Sequence, residues 1–271
     1  MRTLTRTTTE ERRRLPLSTA EVAIRAGEGE GAAERFIGYA AKFNSRTSIG
    51  NPLRWGFYEE IAPGTFTKTI SEGDARFLID HDSYYVVSRV TAGTLSLTQD
   101  AKGLPVDSAL DPALSYVQDL KANIRNGNIT GMSFGFQVIK DDWQLIDVET
   151  TDGQIVQAEL RTLREVKLFE VSAVTFPAYT DTEAGLRAVA SALAHRGDLG
   201  AIERRAQYRP ELIDMLTTDR TTDREPGEST RETSTKDTET TPVEPAAATR
   251  LSHASVDLAM NGLAARYGLT Q

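Results

Sequence analysis

Between residues 34 and 176 the apolar positions arrive in short, closely spaced runs: Phe36–Phe43, Phe57–Ile61, Arg76–His81, Thr94–Thr98, Ile129–Ile139, Gln154–Leu160 and Val166–Phe176. Asn51-Pro52, Pro63-Gly64, Lys102-Gly103 and Asp152-Gly153 fall between them, so the pattern predicts strands joined by tight connections. Such a series suggests a mainly antiparallel barrel or sandwich, not alternating βαβ units. A helical period replaces it in one place. Leu114, Val117, Leu120 and Ile124 form an apolar stripe, with Asp111 suited to cap it, Pro112 suited to its first position, and Asn126-Gly127 to close it. A second helix is predicted over Thr182–His195. Further helix is expected within Ala201–Leu216, broken or restarted at Pro210.

The flanks differ in texture. Residues 1–33 are charged and Gly-rich near Gly27–Gly31, and read as a flexible arm with one strand at Glu21–Arg25. Residues 34–200 form the main domain and 201–216 a helical segment. Residues 217–250 hold one Val and no Leu, Ile, Met or aromatic side chain. Such a polar, Thr-rich linker buries too little apolar surface to offset the entropy of ordering, so it is expected to be disordered. At 251–271 a C-terminal amphipathic helix is predicted, with Val256, Met260, Leu263 and Tyr267 on one face. A helix this short is marginal alone and is expected to fold onto its own domain, a twin or another protein.

Composition narrows the chemistry. The 271 residues carry a net charge of −8, which argues against non-specific nucleic-acid binding. There are no cysteines, so disulfides, thiolate nucleophiles and Cys-ligated zinc are excluded together. No run of about eighteen apolar residues is present, so no membrane span is predicted. The Thr- and Arg-rich start lacks the apolar stretch of a secretory signal. Phosphate-loop, HExxH and EF-hand motifs are absent.

Three segments hold candidate catalytic groups. In Gly131-Met132-Ser133-Phe134-Gly135-Phe136, strand alternation puts Met132, Phe134 and Phe136 on a core face. Ser133 then stands between two glycines on a flat opposite face, against which an extended peptide could lie. The plain alternative is a satisfied interior serine beside glycines that permit tight packing. In Phe77-Leu78-Ile79-Asp80-His81-Asp82 a histidine flanked by carboxylates ends a strand. An imidazole accepts protons near neutral pH and a carboxylate can fix its tautomer. A purely structural histidine, or a metal site with Asp80 and Asp82, are the other readings; His195 and His253 lie in helical or tail contexts that add no ligands. In Val166–Phe176, Glu170 sits within an apolar run and needs a partner. That partner is either an imidazole or an arginine such as Arg161 or Arg164. Ser172 shares the Glu170 face as a rival nucleophile, but bulky Val174 and Phe176 follow it there.

The order of these segments carries a resemblance. Glu60-Ile61-Ala62-Pro63-Gly64-Thr65-Phe66, then Asp80-His81-Asp82, then Ala92-Gly93-Thr94-Leu95-Ser96-Leu97, Gly103-Leu104, Gly131–Phe136 and Glu170–Tyr179 together resemble the HK97-family phage prohead proteases. The likeness runs over roughly residues 36–188. It implies a mainly β fold with flanking helices, a barrel-like core related to herpesvirus assemblin, and a serine protease domain at 34–200. It further implies a serine endopeptidase with Ser133 as nucleophile, His81 as base and Glu170 as third member, although herpesvirus relatives use a second histidine there. No cofactor is implied. The implied partners are the major capsid protein with its scaffold region and the protease itself, self-association included, in the host cytoplasm inside the assembling prohead. No nucleic acid or membrane partner is implied. The chain departs from the family at Thr65, where Ala is common, and at Ser88, where Gly often precedes Arg. A non-catalytic capsid assembly or scaffolding module of the same fold, and a metal-dependent hydrolase around Asp80, His81 and Asp82, are the rival classes.

Overall fold

The computed structural model describes residues 10–27, 29, 32–176 and 183–218. In chain order the elements are β1 (Glu11–Pro16), the helical turn α1 (Leu17–Ala20), β2 (Ala23–Arg25), β3 (Arg35–Lys42), β4 (Thr47–Ile49), β5 (Phe57–Ile61), α2 (Thr67–Glu72), β6 (Arg76–Ile79), β7 (Asp82–Arg89), β8 (Leu95–Leu97), β9 (Gly103–Ala109), α3 (Ser115–Arg125), β10 (Gly131–Glu149), β11 (Ile155–Val174), α4 (Glu183–Arg196), α5 (Leu199–Ala206) and α6 (Glu211–Thr218). The linker beyond Thr218 and the terminal helix at 251–271, His253 included, lie outside the described residues.

The hairpin β10–β11 is the spine. Met132, Phe134 and Phe136 alternate to one side of β10, with Val171 and Ala173 of β11 on that same side, and all five are buried. Burying each of the large ones is worth about 1.5–3 kcal/mol. They join Phe36, Leu104 and Val106 of the other sheet, and Phe66, Phe77, Val117 and Leu120, in one core. A smaller cluster sets Ile49, Trp55 and Phe57 against Leu186, Val189 and Leu193 of α4, with Ile202 and Leu212.

The barrel expectation is corrected here. The strands form two open sheets, one of seven strands ordered β1-β10-β11-β5-β4 with β6 and β7 attached, and one of four ordered β2-β3-β9-β8. The reason lies in β11. One of its edges pairs with β10 throughout, while the other is divided between two parallel partners, β5 at Leu160–Leu163 and β6 at Glu170–Ala173. Where neither strand reaches, Val166 N–H donates to Thr65 O at 3.3 Å and Leu168 N–H to Thr69 Oγ1 at 2.9 Å. Thr65 also donates its own hydroxyl to the Ala62 and Leu163 carbonyls at 2.7 and 2.8 Å. Among the described residues β7 pairs only with β6, and β4 only with β5, so the larger sheet keeps free edges.

Within the expected arm, the strand anticipated at Glu21–Arg25 is β2 at Ala23–Arg25, and Glu11–Pro16 forms a further strand, β1, that the sequence reading left in the arm. β1 pairs antiparallel with Gly131–Phe136 of β10. Its charged side chains are held by distant partners: Arg13 donates to Glu59 at 2.5 Å and to Glu11 at 2.6 Å, and Arg161 donates to Glu11 at 3.0 Å, Glu59 at 3.2 Å and Asp141 at 2.6 Å. Arg161 is fully buried. A buried charge is tolerable only when paired and hydrogen-bonded in this way. Helix α3 also begins later than expected. Leu114 is extended at φ −87° and ψ 110°, and Asp111 Oδ1 accepts from Ala113 N at 2.8 Å, which caps a turn ahead of the helix.

Candidate active site

Ser133 and Ser172 are partners across the β10–β11 ladder, and Gly135 is the partner of Glu170. Antiparallel partners project to the same face. Ser133, Ser172 and Glu170 therefore share the side of the sheet opposite Met132, Phe134 and Phe136. The register slips by one residue between Gly135 and Phe136, which leaves Phe169 as the extra residue of a bulge beside Glu170. A Cβ at Gly135 would run into Glu170 Oε1, so the glycine makes room for the carboxylate.

His81 reaches this face from the neighbouring hairpin. Strand β6 ends at Ile79, and Asp80-His81 make the two-residue connection to Asp82. Both have positive φ, 48° and 64°, as a type I′ hairpin loop requires. Asp and His tolerate this region better than most residues, though each such position still costs about 1–2 kcal/mol. The turn is tied down: Asp80 N–H donates to Ala173 O at 2.9 Å, and Asp80 Oδ1 accepts from Thr175 N at 2.8 Å and from Thr175 Oγ1 at 3.1 Å.

The side chains then close a ring of hydrogen bonds. His81 Nδ1 lies 2.6 Å from Glu170 Oε1. Ser172 Oγ donates to Glu170 Oε2 at 2.6 Å and accepts from His81 N at 3.2 Å. Glu170 thus pairs with the imidazole, while Arg161 and Arg164 serve Glu11, Glu59, Asp141 and Asp142. His81 Nε2 is buried and has no hydrogen-bond partner among the described residues. Ser133 Oγ does not bond to it. That hydroxyl donates to the Arg13 carbonyl of β1 at 3.0 Å, and Ser133 is completely buried.

The carboxylates around His81 are engaged otherwise than a metal site would need. Asp80 faces Thr175, Asp82 Oδ1 accepts from Tyr84 N at 2.8 Å, and among the described residues no three His, Asp or Glu side chains group as metal ligands. His195 lies 3.8 Å from Asp141, at the edge of the Arg161 network.

Three features of the site escape a reading of the sequence: the bridging position of Ser172, the Asp80–Thr175 tie, and the Arg13 carbonyl over Ser133. For Ser172 a signal existed, since a strand reading places it on the Glu170 face.

The profile of the Caudovirus prohead serine protease family matches residues 20–196, well over half of the chain. The chain belongs to that family. It is also 33% identical over 166 residues to the prohead protease of Enterobacteria phage HK97, an alignment covering 60% of this chain and 63% of that one. The chain thus spans less than two thirds of that relative's length. The solved structure of the bacteriophage T4 capsid assembly protease aligns at 14% identity and a TM-score of 0.32, over 60% of this chain and 98% of the other. Among the described residues of this family member, no helix is long and apolar enough to cross a membrane.

Proposed function

We propose that the chain is a serine endopeptidase of phage prohead maturation, cutting the scaffold portion of the major capsid protein and itself through Ser133, His81 and Glu170. The observation that carries this reading is the 2.6 Å contact of Glu170 with His81 on the sheet face that also bears the Ser133 hydroxyl. In this reading an ionised Glu170 accepts from Ser172 Oγ at Oε2 and from Nδ1 of a neutral imidazole at Oε1, the tautomer that leaves Nε2 its lone pair. Nε2 takes the Ser133 proton as Oγ attacks a peptide carbonyl carbon. The imidazolium returns that proton to the leaving amine, and water then releases the acyl-enzyme. For this the Ser133 hydroxyl must turn about χ1, away from Arg13 O.

The reaction needs no cofactor and takes place inside the assembling prohead, in the host cytoplasm. The polar linker at 217–250 is a ready site for self-cleavage, which would release residues 251–271. Ser133→Ala co-expressed with the major capsid protein should leave that protein unprocessed; normal processing would remove Ser133 from the role.

A non-catalytic assembly module is the second reading, favoured by the burial of Ser133 and its bond to Arg13 O. A fluorophosphonate probe on the purified full chain separates the two. An adduct on Ser133 supports the protease, and an unlabelled chain that still promotes capsid assembly supports the module.

A further inference from the structure

We infer that Ser172 is a positioning residue, one that sets the Glu170 carboxylate against the His81 ring. The inference rests on the reading of Ser133, His81 and Glu170 proposed above. Glu170 has two oxygens and two partners, His81 Nδ1 on Oε1 and Ser172 Oγ on Oε2. The same Ser172 oxygen accepts the backbone N–H of His81, so the lone pair facing His81 is occupied and its proton is directed at Glu170. The hydroxyl joins the main chain of the histidine to the carboxylate that holds its ring.

Two elements meet at this oxygen. Glu170 and Ser172 belong to β11, whereas His81 belongs to the turn after β6. The ladder between β11 and β6 stops at Ala173 and Ile79, two residues short of His81. Past that point Asp80 N–H still reaches Ala173 O, and the Asp80 side chain is tied to Thr175, which secures the first residue of the turn. The backbone of the second, His81 itself, is held by Ser172. Without that hydroxyl, Glu170 keeps one partner and is free to rotate, and the His81 backbone loses its tether.

Ser172 is the wrong serine for the attack itself. Its oxygen lies on the Nδ1 and Glu170 side of His81, with its proton engaged in the hydrogen bond to the carboxylate, while the ring atom without a partner among the described residues is Nε2.

The test uses the full chain and the rate of covalent labelling by a fluorophosphonate probe. Ser172→Ala should slow labelling about 10- to 100-fold, the scale on which misplacing a reacting group acts. In a Glu170→Gln background the same substitution should cost less than about twofold, because residues that act as a unit are not additive. Each variant is read with its melting curve. Were the alanine variant to unfold, Ser172→Cys fills the site with a slightly larger group that is only a weak donor, and carries the same comparison. Labelling of Ser172→Ala at the unsubstituted rate, or an equal loss in both backgrounds, overturns the inference. Undiminished labelling of Ser133→Ala, or an adduct found on Ser172, instead overturns the assignment of Ser133 on which the inference rests.

Discussion

Gly135 faces Glu170 across the β10–β11 ladder, and the space left by its missing side chain is where the carboxylate lies. Oε1, the oxygen that contacts His81, is the atom a methyl group would displace. Gly135→Ala should therefore keep the fold, with its buried Phe134 and Phe136 neighbours, yet lower fluorophosphonate labelling about 100-fold. Thermal melting paired with labelling rates checks both halves. A labelling rate equal to that of the unsubstituted chain would count against the role of Glu170.

The connection that carries His81 holds two non-glycine residues at positive φ. Asp80→Ala places a residue ill suited to that region there and removes both bonds to Thr175, so it should destabilise the chain by about 1–3 kcal/mol. Asp80→Asn keeps an acceptor and a residue tolerant of positive φ, and should cost less than about 1 kcal/mol. Urea unfolding of the pair measures the difference.

Arg161 is buried amid Glu11, Glu59 and Asp141. Arg161→Met leaves three carboxylates short of a counter-charge and should cost about 3–5 kcal/mol. Arg12 and Glu10, on either side of Glu11 in the chain, form an exposed pair, and Arg12→Met should shift stability by less than about 1 kcal/mol. The contrast is read from denaturant midpoints at constant slope.

The same network predicts acid lability. Burial pushes the Glu11 carboxyl up, but attraction to Arg161 and Arg13 outweighs it and holds the group below its ordinary value of 4.5. The unfolded chain then takes up this proton more readily than the folded one. The stabilisation is complete above about pH 4.5 and is lost as the pH falls through that value toward the lowered folded pKa. Melting temperature should fall on acidification below pH 4.5. Glu11→Gln, less stable at neutral pH, should show a shallower fall.

Part of the candidate site's geometry could be read from residue order. Alternation along Gly131–Phe136 places Ser133 away from the core, and the apolar run around Glu170 signals a buried carboxylate in need of a partner. Three of the strands escaped that reading, each for its own reason. Glu11–Pro16 reads as ERRRLP, a solvated stretch, and its burial becomes favourable only through Glu59 and Arg161 from remote parts of the chain. Strand β9 contains Pro105, which argues against an interior strand. The structure absorbs it where β3 slips register between Tyr39 and Ala41. Strand β7 exposes Tyr84 and Tyr85 and lacks the alternation of a half-buried strand. Openness of the sheets was beyond reach because it depends on how β11 divides one edge between β5 and β6, a pairing between distant segments.

Strand β10 is walled in where it matters. From Gly131 to Phe136 every residue has a neighbour in β1, and from Gly131 to Gly135 every residue also has one in β11. For the proposed protease, a substrate could not zip onto this strand as an extra ribbon, since both of its edges are taken. It would have to come in over the face that bears the imidazole and carboxylate, and because those two side chains are themselves nearly buried, whatever covers them would first have to give way.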